Sequence, residues 1–186
     1  MTTQYTLRVS NDSAFAGNIC VYQTFDEQQT MTLMESPFSR KIIGFDTFGA
    51  PPLLGDAVDR SFAESGQTDP DNGIPKAELE HCLQYKGIRS CELIAGDIKQ
   101  TLPDYVQKNP ALKVSLLHID TELYESAAIG LDLLWDKIVP GGLLVLDDYG
   151  TEAGGTRAVD EFFAGQDVRI RKLPISQTCP SYIRKR

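Results

Sequence analysis

Two apolar runs in the second half of the chain end abruptly in carboxylates. The runs span residues 114–119 and 142–146, and each is short, apolar and bounded by turn residues, as strands buried on both faces are. Residues 126–138 between them carry apolar side chains at largely helical intervals, which predicts a helix. Together these elements predict a β-α-β crossover with the right-handed connection that such units adopt.

The pattern along the rest of the chain alternates strands with helices. Further strands are predicted at residues 5–9, 41–45 and 91–95. Further helices are predicted at residues 18–35, between Pro75 and Gly87, at 98–107 with an interruption at Pro103, and at 158–163. An antiparallel strand pair is predicted at residues 168–173 and 181–184. The alternation predicts an α/β fold with a Rossmann-like, doubly wound and mostly parallel sheet that ends in this C-terminal pair.

The acidic residues that follow the two apolar runs are expected to meet at one edge of the sheet. They are Asp120, Glu122, Asp147 and Asp148. The carboxyl ends of neighbouring parallel strands lie roughly 5 Å apart, and this edge is where open α/β sheets bind ligands. Carboxylates this close repel one another unless a cation neutralises them, and a hard, oxygen-preferring ion such as Mg²⁺ fits. His118, inside an apolar strand, is interpreted as a hydrogen-bonded core residue rather than a base.

The composition is that of one acidic globular domain over residues 1–186. A net charge of −8 argues against nucleic-acid binding, which needs a basic surface. No apolar stretch approaches the roughly 20 residues of a membrane span, and the N-terminus lacks the features of a secretory signal. We therefore expect a cytoplasmic protein with a small-molecule partner and free cysteines, and we leave a homo-oligomer open. Residues 48–74, rich in Gly, Pro and Asp, are predicted as an irregular lid or binding loop.

Four stretches carry a resemblance to a known family. They are residues 41–48 (KIIGFDTF), 96–103 (GDIKQTLP), 117–126 (LHIDTELYES) and 140–150 (PGGLLVLDDYG). In order and spacing they resemble the macrocin O-methyltransferase type of S-adenosylmethionine-dependent methyltransferase, over most of residues 41–163. The resemblance implies a Rossmann-like enzyme whose metal is held by Asp120, Asp147 and Asp148. It also implies that Glu122, two positions after the first metal ligand, is the catalytic base.

The candidate cofactor contacts follow from the fold and the resemblance together. An acidic residue that closes the second strand of such a sheet typically hydrogen-bonds ribose hydroxyls, which makes Asp46 a candidate for binding S-adenosylmethionine. The resemblance implies that Gly96, Asp97 and Ile98 border the adenine.

The N-terminal turn departs from the pattern of the family it resembles. Family members carry a glycine-rich turn after the first strand, and Phe15 and Gly17 fit it, which makes them cofactor-binding candidates. Asn11 stands where an acidic residue is expected, and Ser13 stands where a glycine is expected. The cofactor motif is therefore degenerate or truncated, and residues before about Met31 are open to an unrelated origin.

Three functions are compatible with these residues. The first, which we favour, is a Mg²⁺-dependent O-methyltransferase that acts on a hydroxyl of a sugar or another small metabolite. The second is a non-catalytic or truncated methyltransferase-like binding protein, which the altered N-terminal turn favours. The third, a metal-dependent hydrolase, needs a nucleophile or a second metal, and nothing in residues 96–150 clearly supplies either.

Overall fold

The structure is a computed structural model in which residues 18–23, 41–49, 54–64, 73–172 and 180–186 are described. The predicted strand at residues 5–9 and the cofactor candidates Phe15 and Gly17 lie outside this part of the chain. The described strands are β1 (Asn18–Gln23), β2 (Lys41–Asp46), β3 (Cys91–Ala95), β4 (Val114–Asp120), β5 (Ile138–Leu146), β6 (Arg171–Lys172) and β7 (Ser181–Arg184). They form one sheet in the order β3-β2-β1-β4-β5-β7-β6.

Most strands of this sheet run in the same direction. β2 pairs with β3 in parallel, and β4 pairs with β5 in parallel. β7 lies antiparallel to both β5 and β6, which confirms the predicted antiparallel pair. β1 lies between β2 and β4 and runs antiparallel to both. The α/β class is therefore confirmed, and the described sheet is mixed, with two parallel and four antiparallel strand pairings and a reversed strand, β1, at its centre.

The predicted helix over residues 18–35 is wrong at its first six residues, which form β1. Ile19 and Val21 are β-branched and Tyr22 is aromatic, and these residue types favour strands. The sheet also offers hydrogen-bonding partners on both sides, since Cys20 lies between Gly44 of β2 and His118 of β4. The rest of the predicted helix, residues 24–35, lies outside the described residues.

The described α-helices are α1 (Ala57–Glu64), α2 (Lys76–Tyr85), α3 (Ile98–Lys108), α4 (Tyr124–Leu134) and α5 (Ala153–Phe162). α2 follows Pro75, and Gly87 beyond its end has φ +71°, as these two residues predict. α3 continues through Pro103, although proline predicts an interruption. α1 lies within the segment that the sequence predicts to be irregular. No helix among the described residues is long and apolar enough to cross a membrane.

The hydrophobic core fills one face of the sheet. Its strand residues are Ile43, Phe45, Leu117, Ile119, Leu144 and Leu146, and they pack with buried residues of α3, α4 and α5. Because successive side chains of a strand point to opposite faces, His118 and Asp120 of β4 lie on the other side. The N–H of Asp147 donates to the carbonyl of Ile119 at 3.0 Å, so pairing continues just beyond β5. The ends of β4 and β5 therefore lie side by side.

Candidate functional site

His118, Asp120 and Asp147 form a group of candidate metal ligands at the ends of β4 and β5. Each of these three residues offers one ligand atom, and the three atoms all lie within 4.8 Å of one another. His118 Nε2 is 3.6 Å from Asp147 Oδ1, which is too long for a hydrogen bond. The side chains of His118 and Asp147 are 26% and 23% exposed. The group is therefore partly sheltered and still accessible to an ion.

Two further carboxyl groups crowd this group. Burial, together with the charges of Asp120, Asp147 and Glu152, raises the pKa of Asp148 to about 7. Burial, together with the charges of Asp148, Glu152 and Asp120, raises the pKa of Glu122 to about 8. Both shifts have the sign expected for carboxylates that are withdrawn from water and repel one another. A cation at this edge would relieve that repulsion.

The donor set fits a divalent cation. Carboxylate oxygens suit Mg²⁺ and Mn²⁺, and an imidazole nitrogen suits Mn²⁺ and other first-row transition metals better than Mg²⁺. Of the three predicted ligands, Asp120 and Asp147 fall in the group with His118. Asp148 is not in that group, although it lies close enough for Asp120 and Asp147 to raise its pKa.

His118 is the site residue that the sequence interpretation places incorrectly. The apolar run around it predicts a core residue, whereas the structure places its half-buried ring beside Asp147. The sequence contains one signal for this placement, the spacing between His118 and Asp120. A residue two positions before Asp120 in a strand lies on the same face as Asp120. Glu152, in the turn before α5, is a second contributor that the sequence does not single out.

The candidate cofactor residues meet at the neighbouring ends of β2 and β3. Asp46, the last residue of β2, is only 9% exposed, and burial raises the pKa of its carboxyl. Its Oδ1 accepts a hydrogen bond from the N–H of Phe48 at 2.6 Å. The Asp46 carbonyl accepts from the N–H of Gly96 at 2.9 Å, so these two residues lie together. Ile98, by contrast, directs its side chain into the core.

Two oxygen atoms at this end of the sheet are buried without a hydrogen-bond partner among the described residues. They are Thr47 Oγ1 and Asp97 Oδ2. The other oxygen of Asp97 caps α3 by accepting from the N–H of Lys99 at 2.9 Å, while Lys99 Nζ lies 3.8 Å from Asp97 Oδ2. Buried polar atoms normally have partners. A polar ligand at the ends of β2 and β3 would supply them, and Thr47 is a further candidate contact that the sequence does not single out.

β1 separates the two clusters. It places one strand between β2 and β4, which corresponds to about 10 Å between the two strand ends. Asn18, the first residue of β1, pairs with Asp120, and Ile19 pairs with Phe45. The N-terminal end of β1 therefore faces the gap between the candidate cofactor residues and the candidate metal ligands.

Comparison with known proteins places the chain in a family. The sequence profile of the macrocin O-methyltransferase family (TylF) matches residues 30–185. The chain belongs to the macrocin O-methyltransferase family. This confirms the family that the sequence resemblance indicates. β1 and the Asn11–Gly17 segment lie before the part of the chain that matches the TylF profile.

Relatives of this TylF-family chain include a curated enzyme and several solved structures. An 8-demethyl-8-(2,3-dimethoxy-alpha-L-rhamnosyl)-tetracenomycin-C 4'-O-methyltransferase from Streptomyces olivaceus is 28% identical over 123 residues, 62% of this chain and 44% of that enzyme. The calicheamicin methyltransferase CalS11 matches at TM-score 0.63 and 19% identity, over 84% of this chain and 65% of CalS11. The O-methyltransferase NovP matches at TM-score 0.64 and 23% identity, over 76% of this chain and 58% of NovP. The chain thus spans less than two thirds of each relative.

Proposed function

We propose that this protein is an S-adenosylmethionine-dependent O-methyltransferase that acts, with a divalent cation such as Mg²⁺, on a hydroxyl of a sugar or another small metabolite. The observation that carries the proposal is the group of His118, Asp120 and Asp147 at the ends of two parallel strands. Membership of the macrocin O-methyltransferase family supports the reaction class. The name of the Streptomyces olivaceus relative, a methyltransferase of a rhamnosyl compound, supports a sugar hydroxyl as acceptor.

Asp120 and Asp147 would hold the cation, with His118 or Asp148 as a further ligand. When bound, the cation acts as a Lewis acid that lowers the pKa of the acceptor hydroxyl. Oxygens of the acceptor would complete the coordination of a cation that these residues hold. The two aspartates extend from adjacent strand ends, so the sheet itself sets the spacing of their carboxylates.

Glu122 would take the proton of the acceptor hydroxyl. It lies two residues after Asp120, beyond the end of β4, and this spacing lets one carboxylate bind the ion while the other faces the substrate. The pKa of Glu122, raised to about 8 chiefly by burial, gives its carboxylate a high proton affinity. Only the ionised form of Glu122 accepts a proton. A positive charge held by the neighbouring Asp120 and Asp147 would favour that ionised form.

Asp46, Thr47 and Asp97 would bind the adenosine part of the cofactor. Asp46 closes β2, where acidic residues of such folds bind ribose hydroxyls. Thr47 Oγ1 and Asp97 Oδ2 are buried atoms without hydrogen-bond partners among the described residues. S-adenosylmethionine supplies an activated methyl group, so the role of the protein is to bind and align the two substrates and to exclude water.

A second candidate function is a methyltransferase-like binding protein without catalysis. The observation that favours it is the direction of β1. In dinucleotide-binding folds the glycine-rich turn follows the carboxyl end of a parallel strand. The strand at the centre of this sheet presents its amino end to the site instead, so the methionine part of the cofactor would lack that turn there.

Calorimetric titration separates these functions and tests the metal site. We expect the parent protein to bind Mg²⁺ and S-adenosylmethionine, and Asp147→Ala to weaken Mg²⁺ binding roughly tenfold or more. Asp132→Ala, which changes an exposed aspartate of α4, is the matched control and should bind as the parent does. An unchanged Mg²⁺ affinity in Asp147→Ala would contradict the proposed metal site. Mg²⁺ binding without S-adenosylmethionine binding would favour the binding protein.

A further inference from the structure

Asp59 is a buried carboxylate that caps the N-terminus of another helix, α4. It lies in α1 and is 1% exposed. Its Oδ1 accepts a hydrogen bond from the N–H of Tyr124 at 2.7 Å, and its Oδ2 accepts from the N–H of Glu125 at 3.1 Å. Tyr124 and Glu125 are the first two residues of α4, and their N–H groups have no partner within the helix. Leu123, the residue before α4, supplies no side-chain cap.

The capped turn of α4 directly follows the segment that carries the proposed base. Glu122 lies two residues before Tyr124, and its carbonyl accepts from the N–H of Gly155 in α5 at 3.1 Å. A Cβ added to Gly154 would lie 2.5 Å from the Glu122 carbonyl oxygen, 2.8 Å from Tyr124 N and 3.1 Å from Asp59 Oδ1. α1, α4 and α5 therefore converge at one point beside Glu122.

Other contacts hold residues 54–64 against the same two helices. Asp56 Oδ2 accepts from Arg157 Nη2 of α5 at 2.8 Å. The Arg157 guanidinium lies over the Tyr124 ring, 3.6 Å from its centroid. The N–H of Gly55 donates to Glu125 Oε2 at 3.1 Å. The hydrogen bonds of Asp59 are thus the buried part of a larger attachment between this segment and the starts of α4 and α5.

We propose that Asp59 is a positioning residue that holds residues 121–123, and with them Glu122, in place for proton transfer. The Asp59 carboxylate accepts hydrogen bonds from two backbone N–H groups and so fixes the first turn of α4. Because residues 121–123 connect β4 to this turn, its position also sets their path. Asp120 is held separately by the sheet. The role assigned to Asp59 rests on the proposed function of Glu122, whereas the hydrogen bonds to α4 do not.

The first arm of the test measures amide hydrogen exchange by NMR. We expect Asp59→Ala to raise the exchange rates of the Tyr124 and Glu125 amides at least tenfold. Asp59→Asn keeps one acceptor oxygen and should give a smaller increase, and it also serves if the alanine variant folds poorly. Glu64→Gln, at an exposed position of the same helix, should leave both rates unchanged. Unchanged rates in Asp59→Ala would overturn the inference, whatever the protein catalyses.

The second arm separates positioning from stability by kinetics. We expect Asp59→Asn to lower kcat roughly 10- to 100-fold, since small displacements of a reacting group have effects of this size. KM for S-adenosylmethionine and Mg²⁺ affinity should change less than threefold. Ala127→Gly destabilises α4 while leaving Asp59 in place, and its kcat should remain close to that of the parent. An equal loss of kcat in both variants would reduce Asp59 to a structural role. A parent without methyl transfer would contradict the proposed function and the positioning role together, while the exchange arm would still decide the hydrogen bonds.

Discussion

At the scale of single residues, His118 would influence which ion the proposed site prefers. Its Nε2 lies 3.6 Å from Asp147 Oδ1, and a ligand atom of each lies within 4.8 Å of one from Asp120. Imidazole binds Mn²⁺ and Zn²⁺ more readily than Mg²⁺, whereas carboxylates bind all of these ions. The presence of one nitrogen donor therefore predicts a preference for Mn²⁺ over Mg²⁺.

Replacing His118 tests this preference. We expect His118→Asn to weaken Mn²⁺ binding roughly tenfold and Mg²⁺ binding less, because the lost nitrogen contributes more to the softer ion. Calorimetry with each ion measures both affinities. His81→Asn, which changes the exposed histidine of α2, is the control. Equal affinities for Mn²⁺ in the parent and in His118→Asn would place His118 outside the ligand set.

Glu122 provides the second prediction at this scale. Glu122→Gln keeps the size of the side chain and removes its ability to accept a proton. We expect kcat to fall roughly 10²- to 10⁴-fold, the usual contribution of a positioned base, while Mg²⁺ and cofactor binding stay largely intact. Steady-state kinetics with a sugar acceptor checks this outcome. Turnover within a few fold of the parent would mean that another group takes the proton.

Some of these residues were predictable from sequence for a simple reason. A carboxylate after an apolar strand lies at the edge of the sheet whichever helices cover its faces, so Asp120 and Asp147 could be placed together. The environment of His118 depends on which face those helices cover. That choice emerges only when α3, α4 and α5 pack on the face of Leu117 and Ile119.

At the scale of elements, the start of α5 shows packing overriding helix propensity. Glycine disfavours helix interiors, so the sequence predicts a start at Ala158, whereas α5 begins at Ala153 and includes Gly154 and Gly155. A Cβ at Gly155 would lie 2.9 Å from the carbonyl oxygen of Thr121. The two glycines therefore allow α5 to approach residues 121–124 closely.

Gly154→Ala tests this close approach. Its Cβ would lie 2.5 Å from the Glu122 carbonyl oxygen, a backbone atom that cannot rotate away. We expect the free energy of unfolding to fall by roughly 1–3 kcal/mol, as for other overpacked sites, despite the higher helix propensity of alanine. Ala153→Ser, at the exposed neighbouring position, should change it by less than about 0.5 kcal/mol. Denaturant unfolding measures both, and a Gly154→Ala variant as stable as the parent would contradict the reported packing.

α1 shows why a helix was absent from the sequence-based prediction. Its eight residues are too few to be stable alone, and the Gly- and Pro-containing sequence around it predicts an irregular segment. The helix is stabilised by contacts far away in sequence, Asp59 with α4 and Asp56 with Arg157 of α5. Such contacts leave no local pattern.

At the scale of the whole molecule, the crowded carboxyls are expected to make stability depend on pH and on a bound cation. The pKa of Glu122 is raised from 4.5 to about 8 and that of Asp148 from 3.8 to about 7, both chiefly by burial. At a pH between the ordinary pKa of each group and its raised pKa in the folded state, the folded state binds more protons than the unfolded state. The stability contributed by these groups is therefore full at low pH and is lost as the pH rises through about 7 to 8.

We therefore expect Tm in the presence of EDTA to fall between pH 5.5 and pH 8.5 by roughly 4–8 °C, which corresponds to about 2 kcal/mol in a chain of this size. Saturating Mn²⁺ or Mg²⁺ at pH 8.5 should restore much of this loss, because an ion that binds only the folded state stabilises it. Glu122→Gln should show a weaker pH dependence, since glutamine does not titrate. Calorimetric melts that are flat with pH in EDTA would contradict the raised pKa values.

The reversed β1 also bears on how the protein assembles. In the described sheet, β3 and β2 on one side and β4, β5, β7 and β6 on the other are hydrogen-bonded to each other only through β1. β1 therefore joins the two parallel pairs, β2–β3 and β4–β5, into one sheet. If β1 detaches, the facing edges of β2 and β4 are left open, and open strand edges pair readily with other chains. Self-association is thus the expected consequence if mild destabilisation detaches β1.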